Sequence, residues 1–234
     1  AARPEAIARD THPVDHPWRN AERAEELRAM LTPDQPREYL KTMPEFAGEL
    51  LKAGKTQEAI EAFQSLERIS TGGGTSDLTL ENRRFLRHKL AVAYLRLGEQ
   101  QNCQEHHNTE SCLKPIQGGG VHARPQGSQE AVRLLSEQMK ESPDGVSARW
   151  WLNMPAMTLG DYPDKVQKAW LIPPKVFESE YDIGRFHDRA GDLGLDVDDL
   201  AGGSIAEDFD GDGYLDIMAS STAVRRQLRY FHNN

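Results

Sequence analysis

Acidic side chains are concentrated in one short stretch near the end of the 234-residue chain, from Asp208 to Asp216. Four aspartates occupy positions 1, 3, 5 and 9 of this stretch, and glycines occupy positions 4 and 6. So much negative charge is unfavourable unless a cation neutralises it, and alternate residues of a tight loop can converge on one centre. Carboxylate oxygens in irregular geometry suit Ca²⁺ better than Mg²⁺, zinc or copper. The stretch therefore predicts a calcium site, and a solvated acidic turn is the alternative.

The wider pattern around the acidic stretch distinguishes two kinds of calcium loop. The first six positions of the stretch resemble those of an EF-hand loop. An EF-hand, however, needs a glutamate at its twelfth position, where this chain has Ala219, and it needs flanking helices. The flanks here, Gly202 to Glu207 and Ile217 to Ser220, are strand-like. The loop instead resembles the calcium loop of the β-propeller repeats called FG-GAP or VCBS. That resemblance implies aspartate side chains and one tyrosine main-chain carbonyl as ligands, in the set Asp208, Asp210, Asp212, Tyr214 and Asp216.

The two cysteines, Cys103 and Cys112, lie in a polar stretch that also contains histidines. In an exported protein this spacing indicates a short-loop disulfide, whereas in a cytosolic protein the pair would form half of a metal site. Copper, zinc or haem bound with the help of His106, His107 or His122 is a further alternative. The chain begins Ala-Ala-Arg-Pro-Glu, as a mature chain does after removal of a signal peptide. We therefore expect an exported protein, periplasmic, cell-surface or extracellular, with a disulfide.

Composition excludes several classes of function. The chain has 28 basic and 37 acidic side chains, a formal charge of −9, and no concentrated Lys/Arg stripe, which argues against nucleic-acid binding. Its apolar runs are far shorter than the roughly 20 residues that span a bilayer, so no membrane span is expected. The sequence contains no nucleophile elbow, no metalloprotease helix and no phosphate-binding glycine loop. It thus identifies no small-molecule substrate and predicts a protein that is not an enzyme.

The elements that precede the acidic loop read as helical hairpins. Glycines at 54, 98 and 160 each follow an amphipathic stretch and are predicted to end equivalent helices. The first hairpin has apolar residues at helical spacing on both sides of its glycine: Phe46, Ala47, Leu50, Ala59, Phe63 and Leu66. The pattern resembles the tetratricopeptide repeat, a helical hairpin of about 34 residues. That resemblance implies stacked hairpins with a concave groove for peptides or other proteins.

Counting along the repeat locates an insertion. From Gly98 to Ala131 the chain advances 33 residues, whereas from Gly54 to Ala59 it advances 5. About 28 residues are therefore inserted within the second hairpin. The sequence thus predicts a mainly α protein, a tetratricopeptide-like helical-hairpin solenoid followed by a short β region that begins a propeller-type blade. Its parts are an N-terminal extension (1–35), helical repeats (36–168) with an insertion (99–127), a linker (169–185) and an FG-GAP/VCBS-like β segment with the calcium loop (186–234).

Two motifs of the last part carry a family resemblance: Gly-Gly-Ser-Ile-Ala-Glu-Asp-Phe-Asp-Gly-Asp-Gly-Tyr-Leu-Asp-Ile and Leu-Arg-Tyr-Phe-His-Asn-Asn. They resemble the opening of the cartilage-acidic-protein-like family, extracellular proteins with such propeller repeats and often an ASPIC/UnbV segment. Bacterial members preceded by tetratricopeptide repeats resemble this chain over most of its length. The resemblance implies an exported calcium-binding scaffold that binds a protein partner or further copies of itself. A metal- or cofactor-dependent enzyme, or an accessory subunit using the Cys/His insertion, is the alternative.

Overall fold

The computed structural model describes residues 17–71, 79–106, 108, 110–111, 113–181, 184, 186–187, 189–197, 199, 202–222 and 226–234. The chain divides into two units, Asn20–Glu180 and Tyr181–Asn234, the second of which also includes Ala1–Arg19. The described residues are mainly helical, with a small three-stranded antiparallel sheet. At this level the predicted fold class, mainly α with a short β region, is confirmed.

Six α-helices are described in the first unit: α1 (Asn20–Met30), α2 (Pro36–Lys52), α3 (Thr56–Thr71), α4 (Leu80–His106), α5 (Gln126–Glu141) and α6 (Val146–Thr158). Each helix packs chiefly against its neighbours along the chain. Their apolar faces form one core, in which the side chains of Leu50, Phe63, Leu66, Leu90 and Leu135 are fully buried. Among the described residues, no helix combines the length and the apolarity that a membrane crossing requires.

Two of the predicted helix-ending glycines do end helices. Gly54 follows α2 with φ of 78°, and Gly160 follows α6 with φ of 70°, a left-handed conformation that favours glycine. At the first site the N–H of Lys55 donates to the Leu50 carbonyl (2.9 Å) and that of Gly54 to the Leu51 carbonyl (3.2 Å). This pair of hydrogen bonds is the Schellman motif, which satisfies carbonyls that the last helical turn leaves open.

The prediction that Gly98 ends a helix is wrong, because α4 continues through it to His106. The reason lies in the packing of α4 against α5. A Cβ atom on Gly127 of α5 would lie 2.5 Å from the Tyr94 carbonyl oxygen and 2.7 Å from the Gly98 nitrogen. The backbone of α4 thus approaches α5 closely at Gly127, while a Cβ on Gly98 would meet the His122 ring at 3.3 Å. Gly98 therefore lies in a packed contact inside α4 and does not end the helix.

A buried carboxylate joins α1 to α2. Glu49 is 3% exposed and accepts hydrogen bonds from Asn20 Nδ2 (2.7 Å) and Lys52 Nζ (2.8 Å), while Arg23 Nε lies 3.4 Å away. Burial pushes the pKa of Glu49 upward, but the hydrogen bonds from Lys52 and Asn20 and the nearby positive charges outweigh it and lower the pKa below 4.5. The folded state therefore favours the ionised form of this side chain.

A pH dependence of stability follows from Glu49. Because its folded pKa is below the ordinary value of 4.5, its contribution is fully present above that pH and is lost as the pH falls through the folded pKa. We expect Glu49→Gln to lower the free energy of unfolding by about 2 kcal/mol at pH 7. Urea denaturation at pH 7 and below pH 4 measures this, with the exposed Glu38 of the same helix, changed to Gln, as control. A difference between wild type and variant that is the same at both pH values would contradict the expectation.

The second unit contains the three described strands: β1 (Ser204–Glu207), β2 (Asp216–Ala219) and β3 (Arg229–Phe231). They form one antiparallel sheet in the order β1-β2-β3. Glu207 pairs with Asp216 at the end of the β1–β2 hairpin, and Ile217 pairs with Phe231. The strand-like flanks predicted for the acidic stretch are confirmed, and the stretch forms the loop between β1 and β2.

Candidate metal centre

The acidic loop between β1 and β2 wraps around the side chain of Asp208. Asp208 Oδ1 accepts hydrogen bonds from the N–H groups of Gly211 (2.7 Å) and Asp212 (3.1 Å), and Oδ2 accepts one from Gly213 (2.9 Å). The two glycines have φ of 81° and 91°, which L side chains rarely adopt. The glycines at positions 4 and 6 of the loop therefore permit the turn that brings their N–H groups to this carboxylate.

Asp216, at the start of β2, is a fully buried carboxylate. It accepts hydrogen bonds from the N–H groups of Asn233 (2.8 Å) and Phe209 (3.2 Å) and from the Tyr230 hydroxyl (2.7 Å). The hydrogen bond from Asn233 is the largest cause that lowers its pKa; burial opposes it, and the bonds from Tyr230 and Phe209 add to it. Asp216 is thus held ionised and connects the acidic loop, β2 and the segment after β3.

Tyr230 of β3 lies beside the loop and supports Asp216. Its hydrogen bond to that carboxylate, together with burial and the nearby acidic charges, raises the pKa of Tyr230 to about 12. Its ring meets the ring of Phe209 nearly edge-on, with centroids 6.1 Å apart. The hydroxyl therefore stays protonated at neutral pH, and it holds Asp216 in one orientation.

Three carboxylates converge on one point of the loop. Asp208, Asp210 and Asp216 each offer one oxygen, and these oxygens lie within 4.8 Å of one another. Calcium binds oxygen at about 2.3 to 2.6 Å, so two ligands on opposite sides of one ion lie about 5 Å apart. The three side chains could therefore supply oxygen ligands to one divalent cation such as Ca²⁺.

A second group shares one member with the first. One ligand atom from each of Asp210, Asp212 and His232 also lies within 4.8 Å of the others. His232 Nε2 is 2.8 Å from Asp210 Oδ2 and 3.8 Å from Asp212 Oδ2. Asp210 thus lies between the two groups, and the imidazole of His232 reaches the carboxylates from the segment after β3.

The structure places the predicted aspartate ligands in two groups that share Asp210. Asp208, Asp210 and Asp216 share one group, whereas Asp212 lies with His232 in the other. The Tyr214 N–H donates to Asp212 Oδ1 at 2.9 Å, and the ligand role of its carbonyl stays a prediction. Sequence reasoning missed His232, although the pairing of Ile217 with Phe231 leads the chain from β3 directly toward the loop.

Several of the cysteines and histidines predicted to form a disulfide or a metal site in the insertion lie outside the described residues. Cys103 is half-buried near the end of α4, while Cys112 lies outside the described residues. His107 also lies outside them, as does the side chain of His106. The disulfide and a metal bound by these histidines therefore stay predictions.

His122, the third histidine of the insertion, is buried in the helical unit. Its Nδ1 lies 3.1 Å from Ser128 Oγ, which lies 2.8 Å from Thr158 Oγ1. Burial lowers the pKa of His122, more strongly than the charge of Glu99 raises it. The imidazole is therefore neutral at pH 7, and Nδ1 joins the insertion to α5 and α6 through these hydroxyls.

The acidic loop places carboxylates that could hold a cation in the connection of a β-hairpin. Comparison of the whole chain with protein-family models, curated proteins and solved structures gives no match. The family resemblance therefore rests on the sequence motifs alone.

Proposed function

We propose that this chain is an exported, calcium-binding protein without enzymatic activity, which binds a protein partner or further copies of itself. The observation that carries the proposal is the convergence of Asp208, Asp210 and Asp216, whose oxygens lie within 4.8 Å of one another. Calcium, when bound, supplies the positive charge that offsets the repulsion between these carboxylates. Calcium binding would thus stabilise the β1–β2 loop and the sheet beside it.

The residues around the loop would hold the ligands ready for the ion. The N–H groups of Gly211 and Gly213 fix the orientation of the Asp208 carboxylate. Asn233 and Tyr230 fix that of Asp216 from the other side of the loop. Because ligands that are already oriented lose little conformational freedom on binding, this arrangement favours affinity.

The helical unit supports the scaffold part of the proposal. Consecutive helices pack mainly on their neighbours, as the stacked hairpins of a repeat protein do. Gly54 and Gly160 end helices with the same Schellman hydrogen bonds at the positions that the repeat pattern assigns to them. We propose on these grounds a tetratricopeptide-like solenoid for the helical unit and a propeller-type blade for the β unit.

Calcium titration of the full chain tests the calcium proposal. We expect Ca²⁺ at one hundred times its Kd to raise the free energy of unfolding of the β unit by about 2.7 kcal/mol. The amide resonances of Gly211 and Gly213 report binding at the loop, and calorimetry gives the affinity. Chelation should reverse both effects, and Mg²⁺ should bind more weakly because it demands octahedral geometry. Unchanged amide resonances and stability at millimolar Ca²⁺ would contradict the proposal.

A further inference from the structure

A small cavity lies inside the insertion, beside the end of α4. Its volume is about 140 Å³. Asn102 and Cys103 of α4 line one side of it, residues 119–123 line the other, and Ser111 completes the described lining. No carboxylate is among the described residues that line the cavity. It therefore lacks the ligands by which the acidic loop would hold calcium.

A chain of hydroxyl groups determines which nitrogen of His122 carries the proton. Thr158 Oγ1 donates to the Pro155 carbonyl at 3.0 Å, so in its 2.8 Å contact with Ser128 Oγ it is the acceptor. Ser128 thus gives its only hydroxyl proton to Thr158, and in its 3.1 Å contact with His122 the imidazole Nδ1 is the donor. A neutral imidazole carries one N–H proton, so Nε2 of His122 has a lone pair.

That lone pair lacks a hydrogen-bond donor in the part of the chain that the structure describes. His122 is 8% exposed, and its one described hydrogen bond is the contact between Nδ1 and Ser128. Nδ1 and Cε1 are the ring atoms nearest to α4, where a Cβ on Gly98 would lie 3.3 and 3.4 Å from them. His122 also lines the cavity. Because a buried nitrogen without a partner is unfavourable, Nε2 indicates a ligand in the cavity.

We propose that this cavity binds one Cu⁺ ion through Nε2 of His122 and Sγ of Cys103. Imidazole nitrogen and thiolate sulfur are donors that suit copper and zinc, whereas carboxylates suit calcium. Zinc takes four ligands, at least three of them from protein, but Cu⁺ accepts two-coordinate geometry. The described lining supplies one nitrogen and one sulfur donor of this kind, which favours Cu⁺. On binding, the Cys103 thiol releases its proton to solvent and the copper stays Cu⁺.

The two donors come from segments that are fixed to each other beside the cavity. Asn102, which precedes Cys103 on α4, accepts a hydrogen bond from the Arg124 N–H at 2.8 Å and donates to the Arg124 carbonyl at 3.0 Å. Arg124 follows His122 by two residues, so this pair of bonds holds both donors near the cavity. Copper binding therefore requires little rearrangement. A disulfide between Cys103 and Cys112, the other role predicted for this sulfur, excludes copper, so the site belongs to the reduced chain.

Titration of the full, reduced chain with Cu⁺, in competition with bicinchoninate, tests the site. We expect one Cu⁺ per chain. Groups that only orient a metal ligand contribute about 10- to 100-fold in affinity, so loss of the ligand in His122→Asn should weaken binding at least about 100-fold. Asparagine keeps an N–H donor near the position of Nδ1, so the contact with Ser128 is retained. Cys103→Ser should weaken binding by a similar factor, and His187→Asn, at an exposed histidine, should bind as the wild type does.

Nitrogen NMR of the wild-type imidazole tests the same site without a substitution. In the metal-free chain at pH 7 we expect a proton on Nδ1 of His122 and none on Nε2, and Cu⁺ should shift the Nε2 resonance. Chelation of calcium should leave the Cu⁺ affinity unchanged, which separates this proposal from the calcium site. Equal Cu⁺ affinities for His122→Asn and wild type, or an Nε2 resonance that Cu⁺ does not shift, would exclude the proposal.

Discussion

Asp210→Asn is expected to weaken calcium binding by at least about tenfold, because the charge of the ligands sets the affinity of such loops. Asp210 belongs to both groups of the loop, so its charge acts on both. The substitution keeps an oxygen that can accept the hydrogen bond from the Asp212 N–H, which is 3.1 Å long in the wild type. The loop should therefore keep its conformation while it loses one negative ligand.

The matched control for this substitution is Glu207→Gln. Glu207 is an exposed carboxylate of β1 that lies directly before the loop and belongs to neither group. The Glu207→Gln substitution removes the same charge at nearly the same place. It therefore controls for the general attraction of an acidic surface to cations. Calorimetric titration of both variants with Ca²⁺ gives the comparison. Equal affinities for the two variants would mean that the loop attracts calcium only through its net charge.

The candidate metal site shows which interactions can be predicted from a sequence. The aspartates and glycines of the loop act within one turn of chain, so their spacing indicates the chemistry directly: Asp208 is surrounded by N–H groups of the same loop. The contacts of Asp216 with Tyr230 and Asn233 are different, since they depend on the pairing of β2 with β3. His232 reaches the loop by the same route, and its role could not be predicted without that register.

The glycines of the helical unit show the same limit. Gly54 and Gly160 are predictable helix ends, because the Schellman motif involves only residues of the preceding turn. Gly98 follows a similar amphipathic stretch, yet it lies inside α4, where the backbone packs against Gly127 of another helix. A glycine that permits close packing and a glycine that ends a helix have the same local sequence signal. The two kinds of glycine differ in the residue that packs against them from another helix, and that residue is known only from the fold.

This distinction leads to the largest stability effect that we expect, for Gly127→Ala. Replacing a helical glycine by alanine ordinarily stabilises a helix by about 0.5 to 1 kcal/mol. At Gly127 the new Cβ would lie 2.5 Å from the Tyr94 carbonyl oxygen and 2.7 Å from the Gly98 nitrogen. Both are backbone atoms, so no side-chain rotation relieves the overlap, and α4 and α5 must move apart. We expect the free energy of unfolding to fall by about 3 kcal/mol.

Gly48→Ala is the matched control, because Gly48 lies inside α2 and a Cβ there meets nothing within 4 Å. The same chemical change should raise the free energy of unfolding by about 0.5 to 1 kcal/mol at this position. Urea denaturation of both variants therefore tests the sign as well as the size of the effect. The hydrogen bond between His122 and Ser128 joins the insertion to α5, so the resonances of His122 should shift in Gly127→Ala and stay unchanged in Gly48→Ala. Equal stabilities for the two variants would mean that α4 and α5 do not approach closely at Gly98 and Gly127.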